Sequence, residues 1–355
     1  MSYEVTVEPL GVTIEVEEGQ TLLDAALREG VYLPHACGHG LCATCKVDIL
    51  EGEVEHGDAS PFALMDMERD EGKCLACTAT PTSDMVIEAD IEEDPDARSI
   101  PVRDFSATVS AITRFSDRIV GITLKLKDGP IDFQAGQYIN LHVPAAGDRP
   151  RAFSIASPPS KADEIELNVC KVRGGAATTW LYDDLTEGTA LKVTGPYGRF
   201  FVRKSRPEPM IFLAGGSGLS SPKSMILELL ETGEDRQITL IYGARDQADL
   251  YYYDLFSELA EKHANFTYIP VLSNEPEDSN WQGERGFVHE AAERAFDGRF
   301  KGHVAYLCGP PPMIDACITT LMQGRLFEKE MYLEHFYDES SRDDSKAKSP
   351  LFKHI

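Results

Sequence analysis

Three cysteines fall within nine residues, Cys37-Gly38-His39-Gly40-Leu41-Cys42-Ala43-Thr44-Cys45, and Cys77 follows thirty-two positions after the last of them. The spacing C-x4-C-x2-C-x31-C is that of a [2Fe–2S] site, where four thiolates converge on two irons. Three ligands then come from one tight loop and the fourth from a distant segment. Glycines at 38 and 40 admit positive φ and let backbone N–H groups approach the sulfurs. Other readings use the same residues. Cys42-x2-Cys45 with Cys74-x2-Cys77 makes a C-x2-C…C-x2-C pattern suited to a structural zinc, and Cys74 rather than Cys77 is an alternative fourth cluster ligand. Cys37-Gly38-His39 is half of a Rieske box, but the second box that such a centre needs is missing, so His39 reads as a loop residue.

A chain of 355 residues has room for two or three domains with cores of their own. Neither a membrane-length apolar run nor a signal peptide is visible. Eight cysteines in such a length, half of them in a cluster pattern, point to a reducing cytoplasm rather than a disulfide scaffold. The net charge of −25 argues against nucleic acid and anionic membranes as partners. That charge is uneven. Residues 1–98 carry 23 Asp and Glu against 5 Lys and Arg, which is either a solvated face or a docking surface for a basic protein.

Residues 1–98 read as a small β-grasp domain. The alternating runs Tyr3–Val7 and Val12–Val16 make a hairpin, Thr21 opens a short helix ending at Gly30, and the cluster loop follows. Strands are expected at Lys46–Leu50 and Met85–Ala89, and a helical turn at Pro61–Met67. Residues 99–206 hold six short runs with Gly and Pro between them: Ala107–Thr113, Ile119–Lys125, Tyr138–Val143, Ala152–Ala156, Ile165–Val172 and Ala190–Val193. That pattern suggests a closed antiparallel barrel. Residues 207–337 alternate apolar strands with helical segments, the signature of a doubly wound α/β domain. Residues 338–355 are polar and read as a disordered tail.

On the barrel, Arg151-Ala152-Phe153-Ser154 offers what a flavin dinucleotide needs: a guanidinium for pyrophosphate, an aromatic to stack and a hydroxyl near the reactive nitrogen. Gly174–Leu181 leads into a helix start, where glycines and a hydroxyl make either a phosphate seat or a plain capped turn. In the third domain Met210–Ala214 runs into Gly215-Gly216-Ser217-Gly218-Leu219, a glycine turn placed where a pyrophosphate would sit. Val304–Cys308 ends in Gly309-Pro310-Pro311-Pro312-Met313, which puts Cys308 at the carboxyl edge of the sheet, either as a site residue or as a core thiol. Cys170 and Cys317 read as core filler.

Together, Arg151–Ser154, Gly175-x-x-Thr178-x-x-Leu181, Gly195-Pro196-Tyr197-Gly198, Gly215–Leu219 and Cys308–Met313 resemble the ferredoxin–NADP reductase superfamily. With an N-terminal plant-type ferredoxin, the chain up to about Phe336 resembles the reductase components of bacterial multicomponent oxygenases, phenol hydroxylase reductases in particular. The resemblance implies that Cys37, Cys42, Cys45 and Cys77 hold a [2Fe–2S] cluster, that Arg151, Phe153 and Ser154 hold FAD with Thr178 near its phosphates, and that Gly216, Gly218 and Cys308 face NADH. Gly136, Tyr138, Lys171, Gly175, Gly215, Gly309 and Pro310 complete the cofactor-binding candidates. Ser154, Cys308 and the aromatic Phe336 are the catalytic ones. Ala43 stands where the family has glycine. The implied activity is oxidation of NADH, with electrons leaving singly through the cluster to a hydroxylase that docks on the acidic face. Arg245, in Tyr242-Gly243-Ala244-Arg245, could meet a 2′-phosphate, and the family leaning alone favours NADH. A reductase for a Rieske dioxygenase uses the same modules in the same order. A redox carrier or sensor without working nucleotide sites is the non-enzymatic alternative.

Overall fold

The computed structural model describes residues 1–147 and 149–335, in two compact units, Met1–Arg103 and Asp104–Ile355. Phe336 and the expected tail lie outside the described residues. Among the described residues no helix is long and apolar enough to cross a membrane.

The first unit runs β1 (Ser2–Glu8), β2 (Val12–Glu17), α1 (Leu22–Arg28), β3 (Lys46–Glu51), β4 (Val54–Glu55), α2 (Asp66–Asp70), β5 (Lys73–Leu75), β6 (Thr80–Pro81) and β7 (Met85–Glu88). Its main sheet has the order β2-β1-β7-β3-β5, with β1 and β7 parallel and the other pairs antiparallel, which is the β-grasp arrangement. Alternation drives it. Val5, Val7, Ile14 and Val16 are buried, as are Leu22, Leu23 and Ala26 of α1, so one face of the hairpin shares a core with the helix. Thr21 caps α1 by accepting the Asp24 N–H at 3.3 Å. The helical turn expected over Pro61–Met67 resolves into two pieces. A turn closes on Ser60, whose carbonyl accepts the N–H groups of Ala63 and Leu64. Helix α2 then begins after Met65, whose N–H donates to Glu68, a carboxylate held by Lys46 at 2.5 Å.

The second unit opens with β8 (Arg103–Arg114), β9 (Ile119–Leu126), β10 (Tyr138–His142), β11 (Arg151–Ser154), β12 (Glu164–Cys170), α3 (Ala176–Asp183) and β13 (Ala190–Tyr197). Five of its neighbouring strands pair in the order β11-β10-β13-β8-β9, with β12 beyond β9. An isolated bridge from Ile155 to Leu167 brings the two edges together and makes the expected antiparallel barrel. Ile122, Leu124, Phe133, Ile139, Leu141 and Val193 fill it, and Ala177 and Leu181 of α3 cap the same core.

The remainder comprises β14 (Met210–Gly215), α4 (Ser220–Glu231), β15 (Ile238–Ala244), α5 (Tyr253–Lys262), β16 (Phe266–Leu272), β17 (Glu284–Arg285), α6 (Val288–Ala295), β18 (Val304–Gly309), α7 (Pro311–Gln323) and β19 (Met331–His335). The sheet is parallel throughout, in the order β17-β16-β15-β14-β18-β19. Residues of β14 alternate between its two faces. Phe212 packs with Met225, Leu229 and Phe256 of α4 and α5, whereas Ile211 and Leu213 pack with Ala291, Ile314 and Ile318 of α6 and α7. The domain is doubly wound, and its order reverses between β14 and β18. That is where such sheets open a crevice at their carboxyl ends.

Candidate functional site

In the cluster loop, backbone geometry is organised around sulfur. The His39 and Leu41 N–H groups each lie 3.4 Å from Cys37 Sγ, the Cys37 N–H lies 3.4 Å from Cys42 Sγ, and the Gly40 N–H lies 3.2 Å from Cys77 Sγ. Gly38 and Gly40 have φ of +67° and +70°, which lets these amides turn inward. Ala43 adopts φ +60°, a left-handed conformation that a glycine would take with less strain. The thiols fall into two pairs. Cys45 and Cys77 Sγ are 3.2 Å apart, and Cys42 is lowered to about 4, first by its hydrogen bond with Cys37, whose own thiol is pushed up. Cys77 is raised and Cys45 lowered by the same sharing of a proton.

Two pairs suit two irons. A structural zinc on the C-x2-C…C-x2-C pattern would need Cys74 as a fourth ligand. Cys74 stays apart: it is fully buried, pairs in the sheet with Val47, and burial pushes its thiol up to about 12. The residues present fit a [2Fe–2S] cluster.

In the second unit the crevice is built by register. Parallel pairing sets Ala214 beside Cys308 and Cys308 beside Glu334. The Ser154 and Ser221 hydroxyls donate to Glu334 Oε2 at 3.1 and 2.7 Å, and Cys308 Sγ lies 3.6 Å from the same oxygen. Ser154 comes from barrel strand β11, Ser221 from the first turn of α4, and Cys308 and Glu334 from the last two strands of the parallel sheet. Burial raises the carboxyl of Glu334 and holds the Cys308 thiol well above its ordinary value, so Cys308 is a neutral thiol and not a nucleophile. The glycines fit around this point. A Cβ on Gly218 would meet the Cys308 carbonyl oxygen at 2.4 Å, whereas one on Gly216, at φ +54°, would enter open space. Gly215 backs onto Met313 Sδ, and Gly309 onto Met313 Cε. Pro310 is the residue that precedes the first turn of α7, in extended backbone.

The other candidates divide. Arg151 and Phe153 lie on one side of β11, both half-buried, and Ser154 points to the other side and is buried. Tyr138 sits opposite Ser154 in the sheet and stacks on Tyr197 at 5.6 Å. Thr178 Oγ1 accepts the Val172 N–H at 3.1 Å and donates to the Gly175 carbonyl, so it secures the turn into α3. Lys171 is held by Asp183 at 2.6 Å. Gly136 is needed for packing, because its Cβ would meet the Phe200 carbonyl oxygen at 2.1 Å. Cys317 is buried as expected. Cys170 is not: it is half-buried beside Arg118, because β12 ends there.

Sequence reasoning missed Glu334 as a site residue, and it missed the polar seam beside it. Ser224 donates to the Ser157 carbonyl at 2.6 Å, and Lys223 reaches Glu166 at 2.7 Å. Tyr252, which is left-handed at φ +60°, donates its hydroxyl to Glu166 and lies under the Lys223 ammonium at 4.3 Å. The string Ser220-Ser221-Pro222-Lys223-Ser224 looks like a solvated helix start, but it is buried against the barrel.

Comparison with known proteins bears on all three modules. Residues 5–82 match the 2Fe-2S iron-sulfur cluster binding domain, 106–202 the oxidoreductase FAD-binding domain and 212–318 the oxidoreductase NAD-binding domain. Over the full length of both chains the sequence is 59% identical to the phenol 2-monooxygenase reductase component DmpP of Pseudomonas sp. (strain CF600). The chain belongs to the reductase components of multicomponent monooxygenases. A second member, the phenol hydroxylase P5 protein of Acinetobacter pittii, is 56% identical over the whole of both chains. Among solved structures, the Amycolatopsis cytochrome P450 reductase GcoB superposes with a TM-score of 0.84 at 35% identity, covering 94% of this chain and 98% of that one. Membership of this reductase family makes the chain an oxidoreductase with sites for [2Fe–2S], FAD and NAD, and it carries the expectation from the motifs through.

Proposed function

We propose that this chain is the NADH-oxidising reductase of an aromatic monooxygenase of the phenol-hydroxylating kind, with a hydroxylase component as its electron acceptor. Bound on these sites, a flavin would supply two-electron hydride chemistry and an iron–sulfur cluster one-electron release. The remaining work belongs to the chain. Cys37, Cys42, Cys45 and Cys77 hold the cluster, and their four amide donors offset its negative charge. Arg151, with Tyr138 and Phe153, binds the flavin on the barrel. The backbone from Gly215 to Gly218 and the start of α7 seat the dinucleotide. Ser154, Cys308 and Glu334 fix where flavin and nicotinamide meet. Phe336 lies outside the described residues, and the family resemblance gives it the part of an aromatic beside the flavin. The functional modules are 1–98, 99–206 and 207–337, the compartment is the cytoplasm, and the acidic face of the first module receives the hydroxylase.

One observation carries this reading: Ser154 of the barrel and Cys308 of the nucleotide sheet converge on a single oxygen of Glu334. The two half-sites are thereby joined within one hydrogen-bonded point. An anaerobic visible spectrum before and after NADH tests it. Flavin and [2Fe–2S] bands that bleach together are expected, followed by reoxidation on adding a purified phenol hydroxylase component. A flavin-only spectrum with zinc by metal analysis would overturn the reading.

A further inference from the structure

Phe62 is 98% exposed, although its neighbours Ala63 and Leu64 are buried. A single exposed phenylalanine needs no explanation. This one is not alone. Leu41, Met65 and Met67 are each more than half exposed; Leu41 belongs to the cluster loop, and Met65 and Met67 to the start of α2, which follows the Ser60 turn. The Ser60 N–H donates to the Gly40 carbonyl at 3.0 Å, and the Gly40 N–H lies 3.2 Å from Cys77 Sγ. From Phe62 the path to a cluster thiol therefore runs through the backbone of Pro61, Ser60 and Gly40 and two hydrogen bonds. Leu41 is closer still, since its own N–H lies 3.4 Å from Cys37 Sγ. The Ser60-centred turn buries Ala63 and Leu64, and in doing so it turns Phe62 outward.

We infer that Phe62, Leu41, Met65 and Met67 form the apolar centre of the surface by which the first module docks on the hydroxylase, against an apolar pocket rimmed with Lys and Arg. The inference rests on the proposed function and gives its partner surface. Charge complementarity identifies the occupant. Residues 51–71 hold eight acidic side chains against one arginine, so the exposed apolar residues lie within an acidic fringe. Docking surfaces that couple rapid encounter to firm contact are arranged this way: charge at the rim sets the on-rate, and an aromatic at the centre sets the off-rate. Methionines add an adaptable contact that polarises easily.

The test uses the full chain with its cofactors, Phe62→Ser and Phe62→Ser/Met65→Ser variants, and a purified phenol hydroxylase component. Expected results are a dissociation constant raised about tenfold or more in the double variant, chiefly through off-rate, and an unchanged rate of cluster bleaching by NADH. Raised ionic strength should slow association of variant and parent alike. An unchanged dissociation constant overturns the surface and leaves the partner reading standing. Slower bleaching by NADH with an unchanged dissociation constant assigns these residues to the chain's own flavin module instead, which also overturns it. Absence of any binding by the parent chain overturns the partner reading and the surface with it.

Discussion

Lys223 Nζ lies 2.7 Å from Glu166 Oε2 across the junction of nucleotide lobe and barrel, with the lysine side chain 5% exposed. Desolvation lowers the ammonium, and Glu166 opposes that fall. A buried pair gains little net stability over apolar packing, but removing one member leaves the other charge without a partner. The pair also fixes where α4, and so the glycine turn before it, stands relative to Ser154.

Lys223→Met keeps the volume and removes the charge. Glu166 is partly solvated and keeps the Tyr252 hydroxyl, so the expected loss of stability is about 2 kcal/mol, below the full cost of an orphaned buried charge. The larger effect should be kinetic. A lobe out of register by a fraction of an ångström should lower kcat for NADH oxidation about tenfold while KM changes little. Thermal unfolding of the flavin-bound protein and rapid-reaction kinetics would separate the two. A kcat equal to that of the parent would show that the seam holds the lobes together without aligning them.

Glu334→Gln should alter the pH dependence of stability. Burial raises the folded carboxyl above its ordinary value of 4.5, so its contribution to folding is whole below that value and is lost as pH rises through the raised one. Glutamine has no such loss. The melting temperature of the variant, measured against the parent, should therefore climb as pH rises above the carboxyl's ordinary value toward neutrality. A difference that stays flat across this range would mean that the carboxyl titrates as it does in water.

Arg245, which could meet a 2′-phosphate, is held by Asp249 at 2.5 Å. Asp246 accepts the Asp249 N–H at 3.1 Å and fixes that carboxylate in place. Asp249→Asn frees the guanidinium and removes a repelling charge. The pair is half-exposed, so the expected rise in kcat/KM for NADPH is about fivefold to tenfold, with NADH little affected. Initial rates with both nucleotides check it, and an unchanged ratio would remove Arg245 from the ribose site.

The pattern of the chain carried the longer strands because alternation and apolar runs are local signals. Thr21, Gly30 and the glycine turn at 215–218 mark their own boundaries for the same reason. The pattern did not mark β4, β5, β6 and β17, whose two or three residues are too few to show alternation or a run. Two features of the site were invisible for physical causes. Strand β19 has five residues and becomes a strand only by pairing with β18, which is a non-local event. Without it Glu334 is one more acid in an acidic chain. The seam was hidden because Ser221, Lys223 and Ser224 are polar, and polarity at a helix start signals solvent unless partners from another lobe are known. The spacing of Cys37, Cys42, Cys45 and Cys77 was legible because it is a pattern within the chain, whereas the placing of Cys74 in a strand, paired with Val47, took the register of β5.

Gly216 and Gly218 are two residues apart, and they should fail in different ways. A methyl group on Gly218 would meet the Cys308 carbonyl oxygen and carbon and the Gly309 Cα at 2.4–2.6 Å, all of them backbone. Backbone within a central parallel strand cannot give way, so Gly218→Ala should push β18 from β14 and lower stability by about 2 kcal/mol or more. A methyl group on Gly216 meets no atom within 4 Å and costs only left-handed strain, about 1 kcal/mol. The open space it enters is where the proposed function seats the dinucleotide. Gly216→Ala should therefore raise KM for NADH about tenfold or more with a melting temperature only slightly reduced. If both variants lose stability equally and KM for NADH does not move in Gly216→Ala, the dinucleotide does not cross this turn.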